Sequence, residues 1–90
     1  MAVMVTMTLK IDAATYQAAH DDLIKIATED GLIFHSGREV AGGIGVVDFW
    51  PSKEAFETFF NGAASDAFKA VGVAPPDDLA FTDVLTADAI

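Results

Sequence analysis

The stretch VVDFWPSKEAFETFF, residues 46–60, passes directly from a strand pattern into a helix pattern. Pro51 has no amide hydrogen and therefore ends the strand, and Ser52 is a favoured N-cap residue for the helix that follows. Beyond this cap, Phe56 and Phe60 stand four residues apart, which places them on one apolar face of the helix. The stretch therefore predicts a strand joined to an amphipathic helix with almost no loop between them.

Two residues of this strand are unusual for a buried segment. Asp48 is an acid within an apolar run, and Trp50, the only tryptophan of the chain, is its last residue. Side chains alternate along a strand, so both point to the same face of the sheet. They either stabilise the junction with the helix or line a site in which a ligand binds.

Patterns on either side of this stretch complete the order β-α-β-β-α-β. Strands are predicted over residues 2–11, 32–40, 44–50 and 79–86. The first helix is predicted to begin at Asp12 and end near Gly31, and the second to be interrupted near Asn61 and end at Gly72. This order predicts one domain, residues 1–90, of the α+β class: a ferredoxin-like antiparallel sheet of four strands with two helices on one face.

The glycines of the sequence AGG predict a tight hairpin between the second and third strands. If residues 42 and 43 form the turn, His35 lies opposite Trp50; if residues 41 and 42 form it, His35 lies opposite Asp48. Both registers put the three side chains on one face, because side-chain direction has a period of two. The hairpin sequence leaves the choice between these registers open, and a three-residue turn, the third alternative, would remove the shared face.

The two faces of the predicted sheet differ in polarity. One is apolar and is the expected floor for the helices; it carries Val3, Val5, Met7, Leu9, Phe34, Val47 and Phe49. The other is mixed and carries Met4, Thr6, Thr8, Ile33, His35, Val46, Asp48 and Trp50. From the last strand it receives either Phe81, Asp83 and Leu85, the favoured set, or Ala80, Thr82 and Val84. A mixed face of this kind suits a pocket. Its members predicted to contact a substrate are Trp50, Met4, Thr6, Thr8, Ile33, Val46 and Phe81.

Composition excludes several classes of function. With 5 Lys and Arg against 14 Asp and Glu, a net charge of -9, the chain lacks the basic surface that binds nucleic acid or anionic lipid. It has no cysteine, and its 2 histidines do not have metal-ligand spacing, so we expect no disulfide and no metal site. We also expect neither a signal peptide nor a membrane span, and hence a cytoplasmic protein. A hydrophobic content of 52% is high for so short a chain and predicts a homodimer.

The spacing of Trp50, Ser52 and Phe56, at the end of a strand and the start of a helix, resembles antibiotic-biosynthesis-monooxygenase-like proteins. The segment GLIFHSG, residues 31–37, resembles the entry to the second strand of small members of that family. The family belongs to the dimeric α+β barrel superfamily, and the resemblance covers nearly the whole chain as a fold pattern. It implies a homodimer whose two sheets pack face to face, with a cavity at the barrel wall or between sheet and helices.

The resemblance also implies a set of chemistries: cofactor-independent oxygenation of aromatics, haem degradation, polyketide cyclisation and lactone isomerisation. Trp50 stands where haem-degrading and quinone-forming members keep a tryptophan. The haem-degrading members also need an iron-binding histidine where this chain has Phe60, and an asparagine in the first strand, where it offers Met4, Thr6 and Thr8. These departures argue against haem, and we expect no cofactor.

His35 and Asp48 form the candidate catalytic pair. A histidine held by a carboxylate can act as a general base near neutral pH, and Trp50 would give an aromatic substrate a flat wall. The pair predicts a small enzyme, a monooxygenase or a cyclase/isomerase, that removes a proton from an aromatic or polyketide-like metabolite. The alternatives are a structural pair, a ligand-binding module without turnover, and an assembly partner. Tyr16 and His20, one helical turn apart, are expected chiefly to pack; the alternative for Tyr16 is that its hydroxyl donates a hydrogen bond to a ligand in the cavity.

Overall fold

The computed structural model describes residues 1–90, and its elements follow the predicted order. The strands are β1 (Val3–Leu9), β2 (Phe34–Val40), β3 (Gly43–Trp50) and β4 (Ala80–Asp83). The helices are α1 (Ala13–Glu29), α2 (Lys53–Phe59) and α3 (Ser65–Val71), and a π-helical segment, Phe60–Ala64, joins α2 to α3. The interruption predicted near Asn61 is therefore a π-helical widening within one continuous helical run.

Both predicted caps begin their helices. The Asp12 carboxylate accepts a hydrogen bond from the amide of Thr15 at 2.7 Å, and the Ser52 hydroxyl oxygen accepts one from the amide of Ala55 at 3.1 Å. Gly72, at a φ of 72°, ends α3 in the left-handed conformation that favours glycine. None of the helices combines the length and the apolar composition needed to cross a membrane.

The four strands form one antiparallel sheet in the order β2-β3-β1-β4, which confirms the predicted ferredoxin-like fold. Alternate side chains of β1 are buried in a core cluster that also contains Ala27 of α1 and Phe56 of α2. The face of the sheet that these side chains share with the helices is called the inner face below. The opposite, outer face carries only half-buried and exposed side chains.

The hairpin between β2 and β3 adopts the second of the two registers that the sequence leaves open. Val40 pairs with Gly43, so residues 41 and 42 form the turn, and Gly42 takes the positive φ of 89°. His35 therefore lies directly opposite Asp48.

The pairing of β1 with β3 corrects the predicted assignment of faces. Val5 pairs with Asp48, and directly opposed residues of neighbouring strands point to the same face, so Asp48 lies on the inner face. The prediction that Met4, Thr6 and Thr8 share a face with Asp48 is therefore wrong. Those three side chains lie on the outer face, together with Phe34, Val47 and Phe49, which were predicted to lie under the helices.

The error has a physical cause. A hairpin turn sets the register of β2 on β3, but a helix and a whole strand separate β1 from β3, so no local turn sets theirs. The packing of α1 and α2 decides it instead. The polar side chains on the inner face can be buried there because they form hydrogen bonds with one another. No buried side-chain nitrogen or oxygen lacks a hydrogen-bond partner.

The last strand is shorter than predicted. β4 covers four residues, Ala80–Asp83, and Leu85 lies beyond its end with its side chain exposed. Phe81 pairs with Val5 and therefore points to the inner face, the same face as Asp48, as predicted.

Candidate functional site

A cavity of about 100 Å³ lies between the inner face and the helices. Of its 21 lining residues 17 are hydrophobic, so its walls are apolar almost throughout. The sheet contributes Met7, Leu9 and Val46, α1 contributes Ala19, Leu23 and Ala27, and the second helical run contributes Phe56, Phe59, Phe60 and Phe68. An apolar cavity of about 150 Å³ can bind benzene, so this one, at about 100 Å³, holds at most a single small ring or one part of a larger flat molecule.

One end of the cavity is polar, because four side chains form a continuous row of hydrogen bonds there. The hydroxyl of Tyr16 is bonded to Nε2 of His35, and Nδ1 of His35 lies 2.6 Å from Oδ1 of Asp48. Oδ2 of Asp48 accepts a third bond from Nε1 of Trp50 at 3.3 Å. Tyr16, His35, Asp48 and Trp50 are called the polar row below.

Asp48 is the anchor of the polar row. Its side chain is only 7% exposed, and both of its oxygens accept hydrogen bonds from ring N–H groups. An acceptor at Nδ1 fixes the neutral imidazole of His35 as the Nδ1–H tautomer, which leaves Nε2 as an acceptor. The hydroxyl of Tyr16 therefore donates to Nε2, and the remaining lone pairs of its oxygen are free to accept a hydrogen bond from a ligand.

Tyr16 stays protonated across the physiological range. Burial raises the pKa of the Tyr16 hydroxyl, and the negative charge of Asp48 raises it further. A free phenolate is disfavoured in this environment, so Tyr16 acts as a neutral donor that can pass a proton on as it receives another.

We expect the raised pKa of Tyr16 to make stability fall in alkaline solution. The unfolded chain releases the tyrosine proton at a lower pH than the folded protein, so the stabilisation is complete below the ordinary tyrosine pKa and is lost as pH rises through the folded one. Urea unfolding of the wild type and of Tyr16→Phe from neutral to alkaline pH measures this. Tyr16→Phe should lose about 1 kcal/mol at neutral pH, because Nε2 loses its donor, and should then show the shallower alkaline slope. Identical slopes in both proteins would contradict the assignment.

His20 lies at the boundary between the polar row and solvent. Its ring centroid is 5.4 Å from that of His35 and 5.6 Å from that of Tyr16, and its side chain is 35% exposed. Its Nδ1 is 2.9 Å from Oδ1 of the exposed Asp21. No three His, Asp or Glu side chains of the chain converge to hold a metal ion.

Not all of the predicted site residues line the cavity. His35, Asp48 and Val46 line it. Phe60 lines it too and stacks on Phe56. Phe60 stands at the position where, by the resemblance, haem-degrading proteins have an iron-binding histidine. Trp50 is fully buried and lies behind the wall, against Phe56 and Phe59, so it is not a surface that a ligand touches.

The remaining predicted contacts lie elsewhere in the fold. Ile33 is half-buried outside the cavity. Phe81 is also outside it and packs edge-on against Phe56, with ring centroids 5.5 Å apart. Thr6 and Thr8 line a shallow groove on the outer face, beside Arg38. The sheet therefore separates these threonines from the cavity.

Sequence reasoning left Tyr16 outside the predicted site, because it favoured packing over donation of the hydroxyl to a cavity ligand. The available signal was the spacing of Tyr16 and His20 by one helical turn, which places two polar rings on the same side of α1. A second signal was Gly37, a glycine in the interior of a strand, which often marks the close approach of another group.

The fold belongs to a recognisable structural class, the ferredoxin-like α+β fold with one open sheet face. A structural-genomics protein, YJCS, superposes with a TM-score of 0.72 at 16% identity, over 93% of this chain and 99% of that one. A candidate antibiotic biosynthesis monooxygenase from Deinococcus radiodurans superposes with a TM-score of 0.58 at 21% identity, over 100% of this chain and 98% of that one.

A second candidate antibiotic biosynthesis monooxygenase, from Chloroflexus aurantiacus, gives a TM-score of 0.51 at 16% identity, over 96% of this chain and 93% of that one. No family model and no curated protein matches the sequence. At these identities the likeness establishes a shared fold, the one that the resemblance of the sequence predicted.

Proposed function

We propose that this protein is a small cofactor-independent enzyme that removes a proton from an aromatic or polyketide-like metabolite bound in the cavity. One observation carries the proposal: the polar row forms the hydrogen-bonding end of an otherwise apolar cavity. A carboxylate, an imidazole and a hydroxyl in series are the parts of a proton-transfer site. The fold shared with candidate monooxygenases is consistent with this chemistry without selecting it.

The cavity favours a neutral ligand. Its lining contains no Lys, Arg or Glu, and Asp48 is its only acidic residue. The chain as a whole carries a net charge of -9, which opposes the approach of anions. A flat, neutral molecule with one phenolic or enolic hydroxyl fits both the apolar walls and the free acceptor on Tyr16.

The proposed step moves two protons at once. The ligand O–H bond breaks as its proton goes to the Tyr16 oxygen, and the proton that Tyr16 carried goes to Nε2 of His35. The electron pair stays on the ligand as a phenolate or enolate, and Asp48 stabilises the imidazolium formed. The anion can then react with O₂ in an oxygenase or with a carbonyl carbon of the same molecule in a cyclase.

Ligand titration followed by Trp50 fluorescence tests the proposal. Trp50 packs on Phe56 and Phe59, which line the cavity, and donates to Asp48, so occupancy of the cavity should change its emission. The probes are hydroxylated aromatics and flat lactones, each paired with a carboxylated analogue, and haem. We expect saturable binding of a neutral hydroxylated ring, at least about tenfold weaker binding of its carboxylate, and consumption of the ligand. Binding by none of these probes would refute the proposal.

A ligand-binding module without turnover is the second candidate, and one observation favours it. Both nitrogens of His35 already have hydrogen-bond partners within the protein, so the row is internally complete without a ligand. The two candidates differ in one measurable respect: the enzyme consumes the bound probe, and the module returns it unchanged.

We also propose that a second copy of the chain covers the outer face. Phe34 is 52% exposed there and pairs with Phe49, and Met4 and Val47 lie beside them. The strand positions that point to this face include no Asp or Glu, although the chain has 14 of them. Asp78 lines the groove at Thr6 and Thr8, but the patch formed by Met4, Phe34, Val47 and Phe49 is apolar, and it lets two strongly acidic chains associate with few like charges in contact.

Phe34→Lys should weaken this dimer by about tenfold or more, because it places a charge within an apolar contact. Sedimentation equilibrium of the wild type and the variant over a range of concentrations measures the dissociation constant. Ile26→Lys, at an exposed apolar position on α1, is the matched control and should leave association unchanged. A wild type that is monomeric at high concentration would count against the proposal.

A further inference from the structure

Gly37 occupies an unexpected place in the sheet. It lies in the interior of β2, opposite Val46, two residues beyond His35 and on the same inner face. A glycine there weakens a strand, because it adds backbone entropy to the unfolded chain and has no side chain to pack. Its φ is not positive, so the backbone at this position does not require glycine.

The space beside Gly37 is occupied by Tyr16. A Cβ at position 37 would lie 2.7 Å from Cζ and 3.2 Å from Cε2 of the Tyr16 ring, and nearer still to the hydroxyl oxygen. These separations are shorter than non-bonded carbon atoms tolerate. The Tyr16 ring packs against the core cluster and its backbone is part of α1, so it can make room for a Cβ at position 37 only by swinging its hydroxyl end away from His35. A side chain at position 37 and the Tyr16–His35 hydrogen bond therefore exclude one another.

We infer that Gly37 is a positioning residue: the absence of a side chain at this position is what admits the Tyr16 hydroxyl to Nε2 of His35. The consequence for ligands rests on the proposed function. With glycine at position 37, a ligand meets the hydroxyl of Tyr16; with any larger residue, it meets the imidazole of His35 directly. Position 37 thus selects between a relayed and a direct proton transfer at one site.

Absorbance titration of the tyrosine tests this inference without any ligand. Tyr16 is the only tyrosine of the chain, so the phenolate absorbance reports on it alone. In the wild type the midpoint should lie above that of a free tyrosine, since burial and Asp48 raise its pKa. In Gly37→Ala the midpoint should shift back toward that of free tyrosine, because the phenol is expelled from the polar row. Ser36→Ala, the neighbouring residue on the outer face, is the control and should titrate like the wild type.

A double variant covers the case in which Gly37→Ala does not fold. If the Tyr16 ring is the only obstacle to a side chain at position 37, Gly37→Ala should lower the urea midpoint of the wild type but not that of Tyr16→Ala. Gly37→Ala with an unshifted tyrosine titration, or an equal loss of urea midpoint in both backgrounds, would overturn the inference. Neither readout involves turnover, so this inference can fail while the proposed function stands, and the reverse.

Discussion

Replacing Asp48 with alanine is expected to lower the free energy of unfolding by about 2–5 kcal/mol. The substitution leaves two N–H donors without acceptors, the buried Nε1–H of Trp50 and the half-buried Nδ1–H of His35. Each unsatisfied buried donor costs about 1–3 kcal/mol, and a domain of this kind has only about 5–15 kcal/mol in total. Urea unfolding measured by Trp50 fluorescence gives the difference.

Two further variants separate the causes of that loss. Asp48→Asn keeps the shape and one acceptor oxygen but removes the charge, so it should fall between the wild type and Asp48→Ala. Asp21→Ala removes a carboxylate whose side chain is 99% exposed and should change stability by less than about 0.5 kcal/mol. If Asp48→Ala were no more destabilising than Asp21→Ala, the polar row would not be a buried network, and the proposed site would lose its basis.

The second large effect is expected on turnover. His35→Ala should slow the reaction of any consumed ligand by about 10²- to 10⁴-fold, because a positioned general base contributes about that factor. Binding should change far less, since the apolar walls that hold the ligand are intact. Tyr16→Phe should also slow turnover, because the relay loses its middle oxygen. The two losses should combine less than additively, as expected for residues that act as one unit.

The control for His35→Ala is Ser36→Ala, the next residue of the same strand but on the outer face. It should keep wild-type turnover. Rates are best compared under single-turnover conditions, with ligand binding followed separately by Trp50 fluorescence, so that loss of binding is not mistaken for loss of chemistry. Unchanged turnover in His35→Ala would exclude this residue as the base, and the binding-only candidate would then be tested by whether the ligand is consumed at all.

Trp50, the last residue of β3, has a structural role and does not contact a ligand. It does not face the cavity; it supports the site from behind, as the donor to Oδ2 of Asp48 and as packing for Phe56 and Phe59. The sequence predicted its face relative to Asp48 correctly, because that depends only on alternation along one strand. Its role as a substrate wall could not be tested from the pattern, since depth in the core depends on how α2 lies over the sheet.

Local chemistry determined much of this protein from the sequence alone. The caps at Asp12 and Ser52, the interruption near Asn61, the order of the elements and the shared face of His35, Asp48 and Trp50 all follow from residues close together in the chain. These features depend on backbone geometry, side-chain alternation and short-range hydrogen bonds. No distant part of the chain is needed to specify them.

Only the tertiary structure decided which face the helices cover, how β1 pairs with β3, and that Tyr16 reaches His35 past Gly37. Tyr16 and His35 lie in different elements, and their contact requires α1 to sit close over β2, which depends on the packing of the whole core. Hydrophobicity favoured the face with Phe34, Val47 and Phe49 as the floor for the helices, and it chose wrongly, because the helices cover the face with Asp48. The helices cover the face on which every buried polar side chain has a hydrogen-bond partner, and those partners come together only in the assembled fold.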